Sequence, residues 1–145
     1  MRNPTEVLPD AVPALHSLLQ STRAAGLPDA TLDLVHLRTS QINGAAACVG
    51  PGVRGALDHG ESEARLHALA AWRGASCFTA AERAALALAE HAARLADHPG
   101  AVPDAVWDDA AAHYDERQLA ALVLMIGATH LFNRLDVITL DAITP

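Results

Sequence analysis

Cys48 is the obvious nucleophile of this chain, whose only other cysteine is Cys77. It stands in QINGAAACVGPGVRG, residues 41 to 55, after an Asn43-Gly44 break and three alanines and before Gly50-Pro51-Gly52. A thiol near a helix N-terminus can have a lowered pKa and attack as the thiolate. The competing reading is a small buried hydrophobe, the usual fate of a free cysteine. No partner cysteine lies nearby in sequence, which weighs toward burial. Cys77, in an expected loop after Trp72-Arg73, reads as structural or incidental.

Two further residues could move protons. Asp33 lies among Leu32, Leu34 and Val35. A carboxylate so placed is at the helix surface, or is held in a pocket with a raised pKa. His130 falls four residues after Ile126 and seven before Val137, in the apolar register of the last helix. It is either a hydrogen-bonded core residue or an imidazole tuned near neutral pH for catalysis. The other candidates are weaker. Gly50-Pro51-Gly52-Val53-Arg54-Gly55 fits G-x-G-x-x-G, but a dinucleotide site needs a preceding strand and a parallel sheet. Here a helix is expected to start or kink near Pro51, because proline suits a helix's first turn. The eight histidines include no H-E-x-x-H and no Cys/His set at zinc spacing, so neither a metal nor a cofactor is expected. His91 and His98 read as solvated beside a helix end, and Asp104, Asp108 and Asp109 as a solvated helix face.

The elements that must position these groups are helices almost throughout. Helical spacing predicts one over residues 11 to 24 and a second from Pro28-Asp29 to Ile42. A short helix ending by Gly60 and another over 61 to 72 follow. Thr79-x-x-Glu82 is a capping-box pattern opening a helix to about Ala96, and Asp115-x-x-Gln118 is a close variant opening the last helix to about Leu140. His98-Pro99-Gly100 reads as a loop, and Pro103 starts a short helix to about His113. The last helix is apolar on several faces through Leu119, Leu122, Val123, Ile126 and Leu131, so it is buried within the monomer or between subunits.

No alternating strand and no dividing linker is evident, so the 145 residues read as a single all-α domain, 1-145. The chain is 51% hydrophobic and only 3% aromatic, with alanine supplying much of the apolar count. Ten Lys and Arg against seventeen Asp and Glu leave a net charge of -7, the wrong balance for nucleic acid or an anionic membrane. The N-terminus has no secretory apolar region, and no apolar run reaches the ~20 residues that span a bilayer. A cytoplasmic protein with reduced thiols is expected.

The segment LDLVHLRTSQINGAAACVG, continuing through LHALAAWR and FTAAERAALALAE to FNRLDVITL, resembles the carboxymuconolactone decarboxylase family, and within it the alkylhydroperoxidase AhpD-like branch. The resemblance covers about residues 10 to 140. It implies an all-α, AhpD-like fold assembled as a homo-oligomer (dimer, trimer or hexamer) with the site near a subunit contact. That branch carries a glutamate, a C-x-x-C pair and a histidine. The resemblance puts the glutamate at Asp33, the first cysteine at Ala45, the second at Cys48 and the histidine at Gly52.

These departures share a direction. Without a first cysteine no disulfide forms there to reset a dithiol peroxidase. Ala45, Ala47 and Gly52 are small and imply a roomier substrate pocket, with Asp33 and His130 as acid/base groups at its edge and Cys48 lining it. The expected function is a cofactor-independent lyase or isomerase acting on a small organic molecule of metabolic or secondary-metabolic origin. The alternatives are a one-cysteine hydroperoxide reductase using Cys48, and a non-catalytic relative that binds a ligand or partner.

Overall fold

The computed structural model describes residues 2–95, 97, 100 and 102–139, and every described element is helical. The helices are α1 (Pro4–Val7), α2 (Ala11–Arg23), α3 (Asp29–Ile42), α4 (Ala46–Asp58), α5 (Glu63–Ala68), α6 (Ala80–Ala93), α7 (Asp104–His113) and α8 (Glu116–Thr139), with a 3₁₀ turn at Leu69–Ala71. Both expected capping motifs are present. Thr79 Oγ1 accepts from the Glu82 amide at 3.2 Å, and the Thr79 amide donates to Glu82 Oε2 at 2.8 Å. Asp115 and Gln118 exchange the same two bonds at 2.8 and 3.1 Å. The break at Asn43-Gly44 is a left-handed turn, with Gly44 at φ 64°.

Three expectations change. The short α1 was not foreseen; Asn3 caps it and Pro4 opens it, and it buries nothing. The helix expected over 61 to 72 divides into α5 and the 3₁₀ turn. The tighter turn brings residues three apart onto one side, so Leu69 and Trp72 are both buried. And α4 starts at Ala46, so of the two readings of Pro51 the helix start is ruled out and a proline within the helix is what is found. Proline cannot donate to the carbonyl four residues back, which leaves that of Ala47 without its helical partner. The expected ends at Ala96 and Leu140, and His98 and Pro99 of the expected loop, lie outside the described residues.

The central element is α3. One apolar cluster joins Leu32 and Val35 to Leu88, Leu119, Leu122 and Ile126 of α6 and α8. A second joins Leu34 and Leu37 to Leu66, Leu69, Trp72, Phe78 and Leu86. With apolar neighbours on both sides, the polar side chains of α3 depend on partners from other helices, although the buried Thr39 hydroxyl has none among the described residues. Asn133 Nδ2 of α8 donates to Ser40 Oγ at 3.0 Å, and Asn43 Nδ2 donates to Asn133 Oδ1 at 2.8 Å. Arg38 pairs with Glu90 of α6, which also accepts from Trp72 Nε1 at 3.0 Å and Arg73 at 2.6 Å.

The apolar residues of α8 divide between two fates. Leu119, Leu122 and Ile126 are buried within the monomer, whereas Val123, Leu124, Leu131, Val137 and Ile138 are exposed. This 24-residue helix is long and apolar enough to cross a membrane by length and composition, which the count of uninterrupted apolar residues did not bring out. One side of it nonetheless packs in the core.

Candidate functional site

A cavity of about 360 Å³ opens between α2, α3, α4 and α8. From α3 come Asp33 and His36, one turn apart. From α4 come Ala47, Cys48, Pro51, Gly52 and Gly55, and just beyond its end His59. One face of α8 contributes Met125, Thr129, Phe132 and Asp136, at helical spacing. Leu19 and Arg23 of α2 cover the remaining side.

The polar groups fall into three sets. Asp33 is buried, and each of its oxygens is held: Oδ1 by Arg23 Nη2 at 3.0 Å, Oδ2 by His59 Nδ1 at 2.6 Å. Arg23 reaches Asp29 with its other terminal nitrogen at 2.5 Å. Burial opposes its charge, but the two carboxylates outweigh that and raise its pKa.

His36 forms the second set. Its Nδ1 lies 3.0 Å from Thr129 Oγ1, whose hydroxyl donates to the Met125 carbonyl at 2.8 Å. With its hydroxyl hydrogen on Met125, Thr129 Oγ1 accepts from Nδ1 in the tautomer that carries the proton there. Burial pushes the His36 pKa down, although the charge of Asp33 and the Cys48 backbone favour the protonated form. Its ring packs over Gly52: a Cβ there would lie 3.1 Å from His36 Cδ2 and 3.3 Å from Nε2. The position that the resemblance assigns to histidine is thus backed by a histidine from the neighbouring helix.

The third set is Cys48 and Asp136. The thiol donates to Asp136 Oδ2 at 2.9 Å. Burial, then this bond to a carboxylate, pushes the Cys48 pKa up to about 11. A thiolate is the nucleophilic form, so the arrangement opposes the activated cysteine that a helix N-terminus would give.

The structure brings together Asp33, Cys48, Ala47 and Gly52 of the expected residues. Ala45 is buried at the start of α4 and is absent from the cavity lining. His130 lies elsewhere, which corrects its expected partnership with Asp33. It follows Thr129, and one residue along a helix turns a side chain by about 100°. That rotation takes it off the cavity face and into a separate groove of about 720 Å³ with Leu95, Leu131, Arg134, Val137 and Ile138. There Asn43 Nδ2 sits 3.2 Å from its Nδ1, and burial, helped by the nearby charge of Arg134, lowers its pKa.

Arg23, His36, His59 and Asp136 are the residues that the sequence did not single out. Only Asp33 and His36 share a helix turn; the others come from separate elements, so no local spacing marks them. Among the described residues no three or more His, Cys, Asp or Glu side chains form a group that could hold a metal.

Residues 9–91 match the model of the carboxymuconolactone decarboxylase family. The chain belongs to that family. This carboxymuconolactone decarboxylase family member is 31% identical over 132 residues to the uncharacterized protein YdfG of Bacillus subtilis (strain 168), covering 91% of this chain and 88% of the relative. Its fold matches that of a protein of unknown function from Agrobacterium tumefaciens, described there as a candidate AhpD antioxidant defence protein. The TM-score is 0.87, at 28% identity, over 97% of this chain and 94% of that one. It also matches the debrominase Bmp8, solved with 2,3,4-tribromopyrrole, with a TM-score of 0.83 over 93% and 71% of the two chains. At 21% identity that second likeness concerns the fold alone.

Proposed function

We infer that this family member is a cofactor-independent acid/base enzyme acting on a small organic molecule, by decarboxylation, isomerisation or elimination. The observation that carries this reading is the Asp33 carboxylate, held between Arg23 and His59 on the wall of a cavity large enough for a small substrate. With His59 Nδ1 given to Asp33, Nε2 is the nitrogen left to take a proton from a substrate carbon and return it to another position. Arg23 holds the other carboxylate oxygen, so the pair keeps its orientation. Leu19, Met125 and Phe132 offer an apolar wall against which a carbon skeleton can pack.

The test is solvent-deuterium exchange into a panel of ketones and lactones, followed by proton NMR. His59→Gln and Asp33→Asn should slow exchange by about 100-fold or more, the scale of general acid/base catalysis. His130→Ala, which faces the other groove, should leave it unchanged. Exchange that survives both cavity substitutions would reject the reading. The one-cysteine peroxidase alternative finds support in the position of Cys48 on the same cavity, but a thiol near pKa 11 is almost wholly protonated at neutral pH. Hydroperoxide turnover with a dithiol that disappears in Cys48→Ala would restore it.

The same reading includes a homo-oligomer, a dimer, trimer or hexamer. Its support is the exposed row on α8, with Val137 60% and Ile138 66% accessible beside Leu131. Contiguous exposed apolar residues mark contact surfaces. Leu131→Glu should lower the mass measured by light scattering without lowering helix content; an unchanged mass would count against this face as the contact.

A further inference from the structure

We propose that the cavity selects its ligand by charge: it takes a compact organic molecule whose polar end donates an N–H or O–H to Asp136, and it excludes carboxylates and phosphates. This rests on the cavity being the substrate site. Two carboxylates, Asp33 and Asp136, line it against one guanidinium, that of Arg23. The charge of that guanidinium is already shared between two carboxylates, with one terminal nitrogen on Asp29 and the other on Asp33. Both oxygens of Asp33 are engaged as well.

Asp136 differs. It enters no ion pair among the described residues, and its recorded partner is the Cys48 thiol on Oδ2. The thiol stays protonated, so it is a donor and adds no second anion. Burial lowers the pKa of the half-buried His36 ring below the ordinary 6.5, which weakens it as a source of compensating charge. With His59 taken as the proton acceptor of the proposed function, the fixed charges of the wall are two carboxylates against one guanidinium, and an entering anion would add to that excess. In a partly apolar site that repulsion is weakly screened. A donor group finds the opposite situation: an acceptor with spare capacity beside Phe132, Met125 and Leu19, which take the apolar body.

The consequence for chemistry is a narrowing. Among the acid/base reactions open to the Asp33–His59 pair, those of a free carboxylate substrate are set aside. Proton shifts and eliminations on a molecule with an N–H or O–H handle remain.

Benzamide, benzamidinium and benzoate have nearly the same shape and differ in charge. Their dissociation constants can be read from amide shifts of Gly52 and Gly55 in ¹⁵N–¹H NMR of the whole chain. Benzamide, benzamidinium or both should bind at least about tenfold more tightly than benzoate, and the two donors together tell an uncharged handle from a cationic one. In Asp136→Asn, which keeps an oxygen to accept from Cys48, the discrimination against benzoate should fall. Benzoate binding as tightly as the others in the wild type would overturn the proposal whether or not the variant folds. So would an order unchanged by Asp136→Asn, or the absence of any shift at these amides with all three probes. Binding is read without turnover, so this outcome is separate from that of the deuterium exchange.

Discussion

Gly52→His, which installs the histidine that the sequence resemblance assigns to this position, is expected to damage the protein rather than repair it. A Cβ at residue 52 would lie 2.8 Å from Leu37 Cδ2, closer than carbon atoms pack, as well as against the His36 ring. Leu37 is 1% exposed inside the second apolar cluster and has little room to withdraw. His36 is tied to Thr129 and can yield only by breaking that bond and swinging into the cavity. Overpacking of this kind costs about 1–3 kcal/mol. Urea denaturation should show a lower midpoint at unchanged slope. Removing the competing ring in the His36→Ala, Gly52→His double variant should recover part of the loss, a coupling of about 1 kcal/mol that contacting residues commonly show. Strict additivity would mean that glycine and imidazole do not compete for this space, and the view of His36 as the occupant of the histidine's place would fall.

That exchange between α3 and α4 marks where sequence reading stops. The helices were legible because their signals are local: the Thr79–Glu82 box, the Asp115–Gln118 variant and the glycine at 44 each act within a turn. The family was legible for a related reason. In LRTSQING, Arg38 pairs with Glu90, Ser40 accepts from Asn133, and Asn43 donates to Asn133. These are braces between α3, α6 and α8, so the segment announces a fold more directly than a reaction. Asp33 and Cys48 were found because they sit beside that frame. His59 and Asp136 were not, because a cavity is assembled across helices and its members share no spacing. His130 was misplaced by one position on α8. Its apolar neighbours in sequence describe the whole helix, while Met125, Thr129, Phe132 and Asp136 define the face that meets α3 and α4 at the cavity.

Glu90→Ala should cost more than any change at the cavity rim. Glu90 is 15% exposed, yet it receives Arg38, Trp72 Nε1 and Arg73 together. Truncation leaves the largely buried Arg38 charge and the indole N–H without their acceptor. Losing one partner of such a pair costs about 3 kcal/mol or more. The effect should reach the cavity, because Arg38 lies on α3 just beyond Asp33 and His36, and Glu90 is its tie to α6. Protonation offers a gentler version of the same experiment. Burial alone would raise the Glu90 pKa, but Arg38, then Trp72 and Arg73, outweigh it and hold it below the ordinary 4.5. A carboxylate depressed in the folded state stabilises the protein fully above its unfolded pKa, and this contribution is lost as pH falls through the folded value. The wild type should therefore exceed Glu90→Gln in stability by a constant margin between about pH 6 and 8, and the margin should shrink below about pH 4.5. Calorimetry across that range would show it. A margin that stays level into acid would mean that Glu90 holds α3 through packing alone, and the charge would lose its place in the account of how Asp33 is positioned.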